Sequence, residues 1–421
     1  ATKASGSQRI ITENYAFPNF VHHKMSYKTD ATSDRLLVLD VMRGIALFGI
    51  LYVNLFSFGA DSIAWSSPID QASWHFKYIF FESKFWGLYS ILFGMGFFFF
   101  TQSKDSSISK SLRRFGILFV FGCFHALFFD GDILMLYAEL ALLMLVLFRL
   151  PTKYLIVAIF FLCLSFPVGH FFHPDRDADL QPESVAQAKD WLTEDSTDDI
   201  YASDTLIETM GYHFQYIPEQ FWADYQYPDS GFVVLGLFLV GYLLARTGVW
   251  RVDHSFCRMM TRNVIIFWML GILMMVAERY LSLKTGYSAF YYSQASPWIT
   301  LLGDTIYLAG TLLLISAWFF TIQWWVAIKA QPRLLTLLAQ AGQMSLTLYL
   351  TQSLIFTSIF YGYGLGYAYR LGPTHVLILA IVIYIGQLAL AAVWLRYFKR
   401  GPLEWIWRLG IYLRFETIRR N

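Results

Sequence analysis

Apolar residues run in long blocks along this chain instead of alternating, and each block approaches the roughly 20 residues a helix needs to cross a bilayer. A sliding window of about 19 residues places spans near 41–60, 85–102, 111–129, 132–149 and 153–172. After a polar insert, five more fall near 231–249, 262–281, 298–324, 340–362 and 375–397. The pattern predicts an all-α, polytopic membrane helix bundle of about ten transmembrane helices, because a membrane barrel would alternate with period two. It also divides the chain: a polar N-terminal extension (1–35), a first membrane half (36–172), an insert (173–229), a second half (230–397) and an interfacial C-terminal segment (398–421).

Composition agrees, with 56% hydrophobic, 19% aromatic and 15% charged residues, well below the roughly 25% charged of soluble domains. The net charge of +2 and the lack of a basic run interleaved with aromatics argue against nucleic acid as a partner. Lys and Arg are distributed unevenly. If the N-terminus is cytoplasmic, 24 of the 32 basic residues lie in or beside inner segments and 7 outside, so both termini are expected in the cytoplasm. Residues 1–35 lack the apolar core of a cleavable signal peptide, and the first span is expected to act as an uncleaved anchor. This extension reads as a flexible tail or as a docking segment for a membrane-complex partner. The insert, acidic from Asp175 to Asp199 and aromatic from Tyr212 to Tyr227, reads as an extracytoplasmic cap or a solvated loop. Cys123, Cys163 and Cys257 have no metal-ligand spacing, no metal is expected, and free thiols are.

Ionisable residues inside apolar spans carry the functional signal, since a charge in hydrocarbon costs several kcal/mol unless paired or hydrated. In the first span Asp40, Arg43 and Asn54 share one stripe at 100° per residue, with Asp40 and Arg43 spaced to pair and Gly44 allowing close helix approach. Arg113 and Arg114 lie at the inner end of the third span. An outer hairpin then holds His125, Asp130, Asp132, Tyr137 and Glu139, where Asp132 and Glu139, seven residues apart, project together. A histidine oriented by a carboxylate is apparatus for general-base catalysis, which makes His125 with Asp130 or Asp132 the candidate catalytic group. Asp40, Arg43, Asn54, Arg113, Arg114, Tyr137 and Glu139 are candidate substrate-binding residues. In Gly342–Ser353, Ser345, Tyr349 and Gln352 fall on one helical face, suited to positioning a substrate or to bonding between helices. No Gly-x-Ser-x-Gly elbow, His-Glu-x-x-His site or phosphate loop is present.

Four ordered segments resemble the YeiB-like family of bacterial inner-membrane proteins, domain of unknown function 418. They are Arg35–Asn54, Phe81–Gly96, Leu112–Glu139 and Gly342–Arg408. The resemblance implies a multi-pass protein of the bacterial cytoplasmic (inner) membrane. The family is distantly similar to membrane acyltransferases of the heparan-glucosaminide N-acetyltransferase group, which implies acyl-CoA as co-substrate, no bound cofactor, and a sugar or lipid hydroxyl or amine of the cell envelope as acceptor. In that group a catalytic histidine precedes an Ala-Ser-Trp-like segment. Here Gln71 stands before Ala72-Ser73-Trp74 and His75 follows, so base duty falls to His125 or His75. By this reading Arg113, Arg114 and Arg43 meet the donor's phosphates, and the charges of the first helix and the outer hairpin converge on one wet chamber. Two other readings remain open: a transporter or lipid-handling protein whose charges line a path, and a noncatalytic subunit recruited through residues 1–35.

Overall fold

A computed structural model describes residues 30–58, 65–103, 106–129, 131–172, 205–226, 229–249, 254–289, 295–328 and 330–420. Most of the N-terminal extension, Asp130 and the acidic part of the insert lie outside these residues. The described chain is helical: α1 (Asp30–Phe56), α2 (Pro68–Phe80), α3 (Lys84–Thr101), α4 (Ile108–Ala126), α5 (Leu134–Leu147), α6 (Thr152–Phe172) and α7 (Leu206–Gln226). There follow α8 (Asp229–Thr247), α9 (His254–Thr285), α10 (Pro297–Ala327), α11 (Pro332–Gln343), α12 (Ser345–Phe360), α13 (Pro373–Tyr397) and α14 (Pro402–Tyr412). Proline opens α2, α10, α11, α13 and α14, a position where its missing N–H costs nothing. Ser107 caps α4 by accepting the Lys110 N–H at 3.2 Å.

The protein is a multi-pass membrane helix bundle, yet its helices are less uniform than the hydropathy pattern predicts. Among the described residues six stretches are long and apolar enough to cross a membrane: 37–56, 68–101, 152–172, 263–285, 297–327 and 373–397. Three further apolar helices, Leu134–Leu147, Gly231–Thr247 and Ser345–Phe360, are shorter; the 14 residues of α5 rise only about 21 Å. Hydropathy windows average over such breaks and cannot see where a helix stops.

One predicted span and one longer apolar stretch are interrupted. The stretch 68–101 turns at Phe81–Ser83, where Ser83 adopts φ +61°, and the span predicted at 340–362 breaks at Met344 between α11 and α12. Such interruptions free backbone groups, which persist in a membrane only where protein or a cavity satisfies them. Next to the second break α1 and α11 meet with almost no space between backbones. A Cβ on Gly44 would strike the Leu338 carbonyl, and one on Gly342 would strike the Asp40 carbonyl. Helix α7, built from the aromatic part of the insert, reaches the bundle through His213 Nε2, 3.2 Å from the Tyr361 hydroxyl.

Candidate active site

A cavity of about 540 Å³ opens beside the α11–α12 break. Its walls come from α1 (Asp40, Arg43), α3 (Tyr89, Phe93, Gly96), α4 (Arg114, Leu118), α5 (Leu134, Tyr137), the break itself (Gly342, Gln343, Ser345) and the C-terminal segment (Lys399, Arg400, Glu404, Trp407). Four cations thus face two carboxylates. Asp40 accepts a bond from Arg43 at 3.2 Å, as the i, i+3 spacing predicts. Arg114 has no carboxylate at salt-bridge distance in the described structure. Its guanidinium rests over the rings of Phe100 at 5.3 Å and Trp407 at 5.2 Å, and its buried Nε has no hydrogen-bond partner. Aromatic faces hold a guanidinium in place without neutralising it, so this charge is available to an anion in the cavity.

The freed amides of α12 are satisfied across 58 residues of sequence. Glu404 accepts from Leu346 N at 2.7 Å, Thr347 N at 3.0 Å and the Thr347 hydroxyl at 2.5 Å. A carboxylate at a helix N-terminus meets both the orphan donors and the positive end of the helix dipole. Burial nevertheless pushes the Glu404 carboxyl above its usual range, and these bonds oppose the shift. On the opposite wall Tyr89 donates to Ser345 at 2.8 Å, and the Tyr137 hydroxyl meets Ser90 at 2.6 Å.

His125 belongs to a second, smaller constellation. It is 1% exposed, with Nδ1 2.7 Å from Asp132 Oδ1 and Nε2 2.7 Å from Ser353 Oγ. Asp132 is fixed in turn by the Met135 N–H on its other oxygen at 2.8 Å. An ionised carboxylate only accepts, so in the tautomer with Nδ1 protonated the ring donates to Asp132 and Nε2 accepts from the serine hydroxyl. The Tyr349 ring packs on the imidazole at 4.8 Å.

The cavity therefore gathers Asp40, Arg43, Arg114, Tyr137 and Ser345. His125 and Asp132 are joined to one another but lie beyond its described wall, so the two charged groups do not share a single chamber. Tyr349 stands between them, one helical turn from Ser345 on one side and against His125 on the other. Gln352 is committed elsewhere, donating to Gln387 Oε1 at 2.8 Å in the α12–α13 contact. Arg113, Asn54 and Glu139 are half-buried and outside the cavity lining. His75 is on α2 against Trp74, ring centroids 5.3 Å apart. Among the described residues no three His, Cys, Asp or Glu side chains form a metal-binding group.

Several participants were not anticipated. Tyr89, Lys399, Arg400, Glu404 and Trp407 reach the cavity through long-range packing. Ser353 continues the i, i+4 series of Ser345 and Tyr349, and that spacing was the available signal. A further buried network, with Asp304 accepting from Tyr287 at 2.7 Å and paired with His170 at 2.8 Å, involves charges inside predicted spans, the same signal that singled out Asp40.

Residues 244–414 match the family model described as "Protein of unknown function (DUF418)". The chain is 27% identical to "Uncharacterized protein YxaH" of Bacillus subtilis (strain 168), over 94% of this chain and 99% of that protein. It is 25% identical to "Uncharacterized protein YeiB" of Escherichia coli (strain K12), over 89% and 96% respectively. No solved structure matches.

Proposed function

From a chain that belongs to the YeiB-like DUF418 family, we propose an integral-membrane acyltransferase of the bacterial inner membrane. It moves an acyl group from cytoplasmic acyl-CoA to a hydroxyl or amine of an envelope sugar or lipid. The observation that carries this reading is the cation-lined cavity, set one tyrosine away from a histidine oriented by a carboxylate.

The donor's phosphates are met by Arg114, Arg43, Lys399 and Arg400, because guanidinium groups bind phosphate oxygens in paired geometry. The basic wall lies at the end of the bundle that the Lys and Arg distribution assigns to the cytoplasm. The thioester then points past Tyr89 and Ser345 toward Tyr349. His125 supplies the base, and Asp132 holds the reactive tautomer and stabilises the imidazolium as it forms.

Equilibrium binding of labelled acetyl-CoA to the purified protein tests the donor site. Arg114→Ala is expected to weaken binding about tenfold, equivalent to about 1.4 kcal/mol, with Arg114→Lys in between because an ammonium keeps the charge and loses the fork. Lack of binding at about 1 mM, the limit of weak association, overturns the donor assignment. A second reading, transport, is favoured by the buried charges of Lys84, Glu278, Asp304 and His170. It predicts uptake into proteoliposomes with no acylated product.

A further inference from the structure

We infer that Ser353 is a nucleophile, activated by His125, so that the acyl group passes through a serine ester before it reaches its acceptor. This rests on the acyl-transfer reading and makes it more specific: transfer in two half-reactions, with the donor's thiol leaving before the acceptor is acylated.

The geometry is that of an activated nucleophile. Serine hydroxyls are unreactive alone, and acquire reactivity when a base within about 2.6–3.2 Å takes their proton and a third group orients the base. Ser353 Oγ to His125 Nε2 is 2.7 Å, and His125 Nδ1 to Asp132 Oδ1 is 2.7 Å. The three residues come from different elements, α12, α4 and the turn preceding α5, and both distances fall within the short range. Asp132 is further restrained by the Met135 N–H and by Gly122, where a Cβ would come within 2.9 Å of its Oδ2.

In the first half-reaction Ser353 Oγ bonds to the thioester carbon while its proton moves to His125 Nε2. Collapse of the tetrahedral adduct breaks the carbon–sulfur bond, and His125 Nε2 gives that proton to the departing sulfur, so the donor leaves as a thiol and the imidazole is neutral again. In the second, the acceptor hydroxyl or amine gives its proton to His125 as it bonds to the acyl carbon, and the proton returns to Ser353 Oγ as the ester breaks. Asp132 is a positioning residue throughout. Access is the remaining requirement, because Ser353 is 1% exposed. Ser345, Tyr349 and Ser353 follow one another at i, i+4 and i+8 on α12, with Ser345 in the cavity wall, so rotation of the Tyr349 side chain is the motion that joins cavity and nucleophile.

The test uses the full chain in lipid nanodiscs with two probes: a biotinylated fluorophosphonate, which reacts covalently with activated serines, and [14C]acetyl-CoA. Expected results are a fluorophosphonate adduct on the peptide containing Ser353, absent in Ser353→Ala, and slower by about 100-fold in His125→Ala, within the usual worth of a general base. Asp132→Asn should displace the pH profile of labelling, which a purely structural carboxylate would not move. Tyr349→Ala should label faster than the parent. With [14C]acetyl-CoA the same peptide acquires label, and Ser353→Cys retains it as a hydroxylamine-sensitive thioester. Thermal melting of each variant guards against misfolding. Serine labelling without acetyl-CoA binding supports the nucleophile and overturns the donor assignment. Acetyl-CoA turnover with no adduct at Ser353, in Tyr349→Ala as in the parent, overturns the nucleophile and leaves direct attack by the acceptor. Failure of both probes overturns both.

Discussion

Glu404 shows how one side chain can decide whether a broken helix is tolerable. Its carboxylate satisfies two backbone amides and one hydroxyl at the start of α12, groups that would otherwise face apolar surroundings at about 1–3 kcal/mol each. Glu404→Ala is therefore expected to lower stability by about 2 kcal/mol or more, seen as a reduced melting temperature in detergent, with Glu404→Gln less affected. The pH dependence follows from the direction of the shift. Burial holds the folded carboxyl above its unfolded value, so between the two the folded state binds the extra proton. Stability falls as pH rises through that window and levels off above the folded value; Glu404→Gln should flatten this slope. None of this was legible in the sequence, where Glu404 is one of two acids in a basic interfacial segment. Asp40 and Arg43 were legible, because their pairing is local and needs only helical spacing. So was His125 with Asp132, seven residues apart across a hairpin. Ser353, 228 residues from His125, joins them only through the packing of α12 against α4.

At the scale of elements, both interruptions recruit polar partners. At the α2–α3 turn the Lys77 ammonium pairs with Glu82 at 2.6 Å, Tyr307 donates to Ser83 at 2.8 Å, and Lys84 donates to the Tyr78 carbonyl at 3.0 Å. At the α11–α12 break the partners are Glu404 and Tyr89, and the freed space is the cavity. The break is held where it is by the α1–α11 contact, since Gly342 rests on the Asp40 carbonyl and Gly44 on the Leu338 carbonyl. Backbone atoms cannot rotate aside, so Gly342→Ala should push the helices apart and cost about 1–3 kcal/mol, the usual range for overpacking. It should also weaken acetyl-CoA binding, because Asp40 and Gly342 both line the cavity. The combined measurement of melting temperature and affinity checks both effects. The sequence indicated close approach at Gly44 but not the break, because apolar residues continue through Met344 and hydropathy carries no information about backbone direction. In the insert, which the sequence left open between a cap and a solvated loop, the aromatic half forms the helix α7.

Among the described residues, two of the clusters of buried charge adjoin α3. The first surrounds the cavity near Gly96. The second, around Lys84, Glu278, Asp304 and His170, begins at the other end of that helix, twelve residues and about 18 Å away. Lys84 and Asp304 are fully buried and Glu278 is 1% exposed, with Glu82 and then Glu278 the carboxylates whose charge Lys84 senses. Removing one member of a buried charge pair strands the other, at about 3–5 kcal/mol, whereas replacing both by neutral groups of similar shape is often tolerated. The ion pair beside Lys84 is Lys77–Glu82 at 2.6 Å; Lys77→Met and Glu82→Gln are each expected to destabilise the protein, and the double variant to recover much of the loss in a thermal double-mutant cycle. If the two clusters work separately, as the acyltransferase reading requires, the double variant binds acetyl-CoA with unchanged affinity. If they form one transmembrane path, affinity and its pH dependence move with the substitution, and the transport reading gains. The orientation on which both readings depend can be measured directly. With the basic end of the bundle inside, as the positive-inside rule predicts, Arg414→Cys should react with a membrane-impermeant maleimide only after permeabilisation, and Ala72→Cys in intact cells.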